Sequence, residues 1–392
     1  MSIHRRDFLR LLGVGAFAAQ ASWARHGLHF VPGRGDRRLV LVFLEGGNDG
    51  LNTVVPHADD NYHRARPKLA LKKGDLLPLE DGTGLHDSLR ALELAWQAGE
   101  LAVLRDVGYE RPDLSHFVSR DIWHSGRRET AEPNSGWVGR AQLIAQTKGL
   151  PPAALGLSEA PLVLKNAQSN GLTMTELDRF AQRPAPSLPT PIGADEGLAR
   201  IARAAQDAQQ VAVRMAEAVA KIPAGQGYPQ TTLARHLQLA ARLARVEAGP
   251  PVLCVQLGGF DTHSLQPGSH AALLRQLGDA LAAFHADLGR DGAGQRCLSL
   301  VYSEFGRRIR ENGSAGTDHG TAGPVFALGG GVKGGLFGGA PKLDRAGGNL
   351  AMQHDFRAVF SEAVRDWLGW DARDLFDGGF EHGRGKLGFL QS

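Results

Sequence analysis

The chain has 392 residues, 42% of them apolar and 22% charged, with a formal net charge of +3. That balance excludes a disordered chain, and the near-neutral charge excludes the basic footprint of a nucleic-acid or polyanion binder. Two cysteines, Cys254 and Cys297, cannot build a disulfide scaffold and read as small apolar residues on buried strands.

The N-terminus runs His4-Arg5-Arg6-Asp7-Phe8-Leu9-Arg10, then an apolar stretch over 11–19, then Ala19-Gln20-Ala21 and Ser22-Trp23-Ala24. A paired-arginine head, a short apolar core and a small-residue cleavage site predict a removable twin-arginine (Tat) export signal over 1–24. The apolar stretch is about half of the roughly 20 residues that a membrane span requires. No other stretch reaches that length. The expectation is a soluble protein, periplasmic or extracellular, with the Tat translocon as partner during export and no permanent membrane span.

Residues 25–392 read as a single domain. Short apolar runs at 39–44, 101–107, 252–257, 297–302 and 325–328 each open into a polar or glycine-rich turn, as the strands of a parallel sheet buried on both faces do. Helical patterns lie between and after them, at 89–98, 270–288 and 356–368. The predicted class is therefore α/β, a mostly parallel sheet with helices on both faces. The stretch 182–191 is proline-rich and precedes two alanine-rich helical patterns at 194–221 and 231–246; in the second, Leu233, Leu237, Ala240 and Ala244 share one face. Residues 140–248 accordingly read as a largely helical insertion or cap, with the core built from both ends of the chain. The glycine-dense 329–339 lacks the Lys-Ser/Thr ending of a phosphate-binding loop.

In open α/β sheets ligands bind beyond the carboxyl ends of the strands, and the residues there are rich in chemistry. The first strand releases into Glu45-Gly46-Gly47-Asn48-Asp49-Gly50-Leu51-Asn52 and the second into Asp113-Leu114-Ser115-His116. The next two release into Asp261-Thr262-His263 and Ser303-Glu304-Phe305-Gly306-Arg307. Thr317-Asp318-His319-Gly320 precedes the last. Carboxylates and imidazoles brought together from separate strands are the ligand set of a divalent metal such as Zn or Mn. Taken singly, each cluster reads as an ordinary turn or loop; four in register at one edge point to a site. Ser115, at a helix start, suits a nucleophile or anion contact and equally an N-cap. His116 stands as ligand, base or neither. Arg307 is a candidate anion clamp, and Asn48 and Asn52 are candidate substrate contacts.

Leu44 to Pro56 (LEGGNDGLNTVVP), the SHF at Ser115, the GGFDTH ending at His263, the SEFGR at Ser303 and the TDHG at Thr317, together with the signal, resemble a Tat-exported family of unknown function, DUF1501, placed among relatives of alkaline phosphatases and arylsulfatases. The resemblance spans the region after the signal. It implies an alkaline-phosphatase-like fold with a metal centre at the strand ends and a hydroxyl nucleophile at a helix start. Carried over by residue, Asp49 (or Asn48) resembles the first-strand ligand, Ser115 the nucleophile, Asp261 with His263 the ligand pair of one metal and His319 the late histidine. Glu304 stands where those relatives show Asp-His, and Phe305 replaces that histidine, so the resemblance implies one ion or two. The Cys/Ser-x-Pro-x-Arg signature of aldehyde-forming sulfatases is absent.

The expected function is metal-dependent hydrolysis of a phosphate or sulfate ester on a small molecule or carbohydrate, with Ser115 and His116 as catalytic residues and Asp49, Asp261, His263, Glu304 and His319 as ligands. The alternative is a non-catalytic exported binding protein that uses the same cleft for an anionic or carbohydrate ligand.

Overall fold

The computed structural model describes residues 36–128, 134–145, 151–157, 161–166, 172–174, 210–211, 213–344, 348–380 and 385–391. The export signal over 1–24, the proline-rich 182–191 and most of the helical pattern at 194–221 lie outside the described residues.

The strands are β1 (Arg38–Leu44), β2 (Val54–Val55), β3 (Leu76–Pro78), β4 (Gly84–His86), β5 (Leu101–Gly108), β6 (Ala153–Leu155), β7 (Leu172–Met174), β8 (Val252–Leu257), β9 (Cys297–Tyr302), β10 (Gly323–Leu328), β11 (Gly335–Phe337) and β12 (His354–Asp355). β2, β4 and β3 form a small antiparallel sheet, and the other nine form the main sheet in the order β11-β5-β10-β9-β1-β8-β6-β7, with β12 also beside β5. The central β1 runs parallel to both β8 and β9. The five predicted apolar runs all become strands. One differs in direction: β10 is antiparallel to β9 and to β5, so the sheet is mostly parallel with one reversed member.

β1 shows why the chain folds this way. Its side chains alternate across the sheet, sending Val40, Val42 and Leu44 into one buried cluster and Leu39, Leu41 and Phe43 into another. The first cluster is completed by helices Thr232–Arg245 and Gln266–Gly289, the second by helices His116–Ser125 and Phe356–Glu362. The result is a three-layer arrangement with a core on each face of the sheet. The predicted apolar face of Thr232–Arg245 is buried at Leu233, Leu237, Ala240 and Ala244, and the Thr231 side chain caps its start by accepting from the Ala234 amide. Within 140–248 the chain is not only helical, because β6 and β7 extend the main sheet beyond β8. Cys254 and Cys297 are buried, free and on strands. No helix among the described residues is long and apolar enough to cross a membrane.

The carboxyl ends of β1, β5, β8 and β9 lie along one edge. Reversal of β10 brings the loop that precedes it to that same edge. The five polar clusters of the sequence therefore converge there.

Candidate metal centre

The centre is built on three loops locked together by one side chain. Arg307, just beyond β9, is fully buried, and its guanidinium donates to the carbonyls of Gly47 (2.6 Å), Thr317 (2.9 Å), Phe260 (3.0 Å) and Gly46. Its last contact is with Asp261 Oδ1 at 2.7 Å. The loops after β1 and β8 and the loop before β10 are thus held at fixed spacing. Gly46 permits the approach: its φ is 115°, and a Cβ there would run into the Asp261 amide. Such a buried, fully engaged guanidinium cannot reach out to a substrate, which corrects the reading of Arg307 as an anion clamp.

Asp261 is half exposed and lies at the middle of the cluster. Its Oδ1 is 2.9 Å from His263 Nε2 and 3.1 Å from His319 Nε2, and its Oδ2 is 3.5 Å from His116 Nε2. Partial burial works against the carboxylate, but the hydrogen bond from Arg307 and the imidazoles beside it prevail and bring the group down to about 2. One ligand atom from each of His116, Asp261 and His319 can be chosen so that all lie within 4.8 Å of one another.

The outer nitrogens of these imidazoles settle what the inner ones present. His319 Nδ1 lies 2.9 Å from the Leu114 carbonyl; a carbonyl only accepts, so Nδ1 carries the proton and Nε2 offers a lone pair in the neutral ring. Burial lowers the His319 pKa and favours that neutral form. Its lone pair then faces an Asp261 oxygen and, at 2.9 Å, His263 Nε2, an arrangement that a cation relieves. His116 Nδ1 is 2.7 Å from Glu304 Oε1, and His116 Nε2 is buried with no hydrogen-bond partner. A carboxylate behind an imidazole whose inner nitrogen is unsatisfied is the arrangement of a metal-ligating histidine. The donor set therefore fits a divalent ion.

Glu304 supports that imidazole rather than joining the inner set. It is 1% exposed; its Oε1 also accepts from the Gly46 amide at 2.9 Å, and its Oε2 lies 2.9 Å from the Ser303 hydroxyl, whose proton it shares with the Leu44 carbonyl. Its Oε1 is turned to His116 Nδ1, and it is not among the residues whose ligand atoms converge, so the geometry places it behind the imidazole instead of in the ligand set. Glu304→Gln is expected to weaken metal affinity by about 10–100-fold while leaving the inner ligands in place, as read by competition with a chelator. Phe305, where the resemblance implied a histidine, packs against the His116 and His319 rings at 4.9 and 4.8 Å between centroids and closes that side with an apolar wall.

Asp49, the predicted first-strand ligand, is not brought to the cluster. It is fully buried in a bidentate pair with Arg66, at 2.6 and 2.9 Å, and it accepts from Gln266 Nε2 at 2.5 Å. Asn48 and Asn52 are likewise turned inward. Asn48 Oδ1 accepts from His270 Nε2 (2.9 Å) and Thr53 Oγ1 (3.1 Å); Asn52 donates to the Leu69 carbonyl (2.8 Å) and accepts from Tyr62 and Arg66. None of the three is placed to meet a substrate. They form a buried layer under the centre, joined to it where Gln266 Oε1 accepts from Thr317 Oγ1 at 2.7 Å and Thr262 Oγ1 at 3.1 Å. Arg66, Gln266 and His270 had no motif to mark them.

Ser115 stands at the N-terminus of helix His116–Ser125 with extended backbone, and its hydroxyl makes no capping hydrogen bond. It is exposed, and its amide is held by Asp113 Oδ1 at 2.7 Å. Of its two sequence readings, the cap is the one this geometry removes.

Residues 163–382 match the family model described as "Protein of unknown function (DUF1501)", more than half of the chain. No curated protein matches the sequence. Among solved structures, the chain is similar to the PsFucS1 sulfatase from Pseudoalteromonas sp., with 11% identity, 91% of this chain and 71% of that one covered, and a TM-score of 0.40. It is also similar to the alkaline phosphatase from the Antarctic bacterium TAB5, with 12% identity, coverage of 76% and 94%, and a TM-score of 0.34. A third is the soluble domain of lipooligosaccharide phosphoethanolamine transferase A from Neisseria meningitidis, with 8% identity, coverage of 93% and 96%, and a TM-score of 0.38.

Proposed function

The chain belongs to the DUF1501 family of proteins of unknown function, and from that premise and the centre above we propose that it is an exported, metal-dependent hydrolase of phosphate or sulfate esters. The observation that carries the reading is the convergence of His116, Asp261 and His319, with His116 Nε2 buried and unpartnered in front of Glu304. These three residues would hold one divalent ion, Zn or Mn by the match to two imidazoles and a carboxylate, and His263 is the further imidazole beside it. When bound, the ion supplies Lewis acidity that lowers the pKa of a hydroxyl and neutralises an anionic ester.

The chain's own residues do the rest. The free amides and dipole at the start of the helix favour an anion beside Ser115. The Ser115 oxygen bonds to the phosphorus or sulfur of the ester, the bond to the alcohol oxygen breaks, and the alcohol leaves with a proton; water then releases the acid and restores the serine. Glu304 orients His116, and Arg307 holds the loops that carry Asp261 and His319. Export through the Tat translocon to the periplasm or beyond, and a small-molecule or carbohydrate ester as substrate, belong to the same reading.

Elemental analysis of the purified full chain, followed by a phosphate and sulfate ester panel on the same sample, tests it. Near-stoichiometric metal and turnover are expected in the wild type. Ser115→Ala is expected to retain the metal and lose turnover by at least about a thousandfold. A folded wild type without metal even after reloading would sink the proposal; bound metal without turnover on any ester would replace it with the non-catalytic binding protein.

A further inference from the structure

The helix that begins after Ser115 presents a surface that the metal centre does not use. Phe117 directly follows His116, yet it is 71% exposed. A ring left in water adds nothing to the core, and exposed apolar surface beside a polar site marks a place where a ligand rests. Arg120 sets its guanidinium 5.4 Å from the centroid of that ring. One face of Phe117 is thereby covered and the other is open to solvent.

The charges around Arg120 do not make an anion site. Glu45 Oε1 and Asp121 Oδ1 each lie 3.7 Å from its guanidinium, so two negative charges face one positive charge. At that distance neither takes a hydrogen bond from it. Glu45 is held in place by Gln256, whose Nε2 donates to Oε2, which leaves Oε1 as an acceptor. The patch therefore offers a bare aromatic face, guanidinium donors and a fixed carboxylate, all reached by water. It adjoins the metal centre on both sides. Arg120 and His116 are four residues apart and lie about one turn from each other on one helix face, and Glu45 precedes Gly46, whose amide is bound to the Glu304 carboxylate behind His116.

We propose that Phe117, Arg120 and Glu45 form a pyranose subsite beside the metal centre, so that the ester hydrolysed there is the ester of a sugar. The C–H face of the sugar ring lies on Phe117, and its hydroxyls accept from Arg120 and donate to Glu45. A hydroxyl both donates and accepts, so a sugar uses the guanidinium and the carboxylate together. A second anionic group would meet Glu45 and Asp121, and a purely apolar alcohol would desolvate both charges without pairing them. That the sugar carries an ester rests on the hydrolase reading, whereas the pyranose contacts rest on the patch alone.

Two measurements on the purified full chain test this. The first is titration with neutral methyl glucoside, galactoside and mannoside, followed by ligand-observed NMR, which requires neither metal nor turnover. Saturable binding of at least one is expected, weakened about 3–10-fold by Phe117→Ala and about tenfold by Arg120→Met. Phe117→Trp is expected to keep the affinity, and Phe117→Leu, apolar but not flat, to lose it as Phe117→Ala does. The second compares kcat/KM for glucose 6-phosphate and glucose 6-sulfate with that for the ethyl and p-nitrophenyl esters. The wild type is expected to prefer the sugar esters, and Phe117→Ala to reduce that preference by the same 3–10-fold through KM. No saturable pyranoside, binding that survives both Phe117→Ala and Arg120→Met, or affinity retained in Phe117→Leu would overturn the subsite. So would a preference for the ethyl or p-nitrophenyl esters. Pyranoside binding with the expected variant pattern and no turnover of any ester would support the subsite and sink the hydrolase reading instead.

Discussion

Asp261→Asn is expected to strip the metal centre, with metal content falling from near one equivalent per chain to below about a tenth under the same loading conditions. The inner set has a single carboxylate, and Asp261 supplies it. Changing the partners behind a ligand costs about 10–100-fold in affinity, so losing the one charged ligand is expected to cost at least about 100-fold. Asparagine retains an oxygen for Arg307, whose remaining contacts are all to backbone carbonyls, so the melting temperature should move by only a few degrees. Elemental analysis and calorimetry on one preparation read both quantities. Full metal occupancy in Asp261→Asn would place the ion on other residues.

The second large effect lies beneath the centre and concerns stability alone. Asp49 and Arg66 are both fully buried, and removing one partner leaves the other charge uncompensated, which costs about 3–5 kcal/mol. Arg66→Met is expected to destabilise the protein by that amount in urea unfolding. Asp49→Leu with Arg66→Met should recover most of the loss, because no charge is then stranded. Burial alone would raise the Asp49 pKa, but the Arg66 charge and hydrogen bonds overcome it and lower the value. A carboxyl lowered in the folded state contributes its stability above the unfolded pKa of about 3.9 and loses it as pH falls through the folded value. Acid unfolding of the wild type should show that dependence and the double variant should show less of it, keeping only what other lowered carboxyls such as Asp261 and Asp366 contribute. A cost below about 1 kcal/mol for Arg66→Met would show that the pair does not hold the layer together.

Much of this arrangement is legible in the sequence. Continuous apolar runs announce buried strands, and Asp261, His263, His116 and His319 stand just past or just before such runs. The direction of β10 was not legible, because 325–328 reads the same in a parallel or a reversed strand; its polar loop simply comes before it instead of after. Asp49 misled because the resemblance carried it over as the first-strand ligand, while the residue that claims it, Arg66, lies 17 positions away in an ordinary-looking basic segment. Burial of an arginine leaves no local trace in a sequence. Glu304 was found as a site residue but given the wrong rank, since whether a carboxylate touches an ion or stands behind an imidazole 188 residues distant depends on geometry alone.

The reversal of β10 also decides which part of the rim is free to change. Parallel neighbours must be joined by a crossover that returns along the far side of the sheet, so lengthening those connections disturbs a packed helix. The connection from β9 to the antiparallel β10 never leaves the rim. Its two arms carry Glu304 and Arg307 on one side and His319 on the other, bridged at Arg307 and His319, while its tip around Gly313 projects into open space. Exchange is therefore free at Gly313 alone, because Asn312 and Ser314 to Gly316 are held on the loop after β8 and tie the tip to both arms.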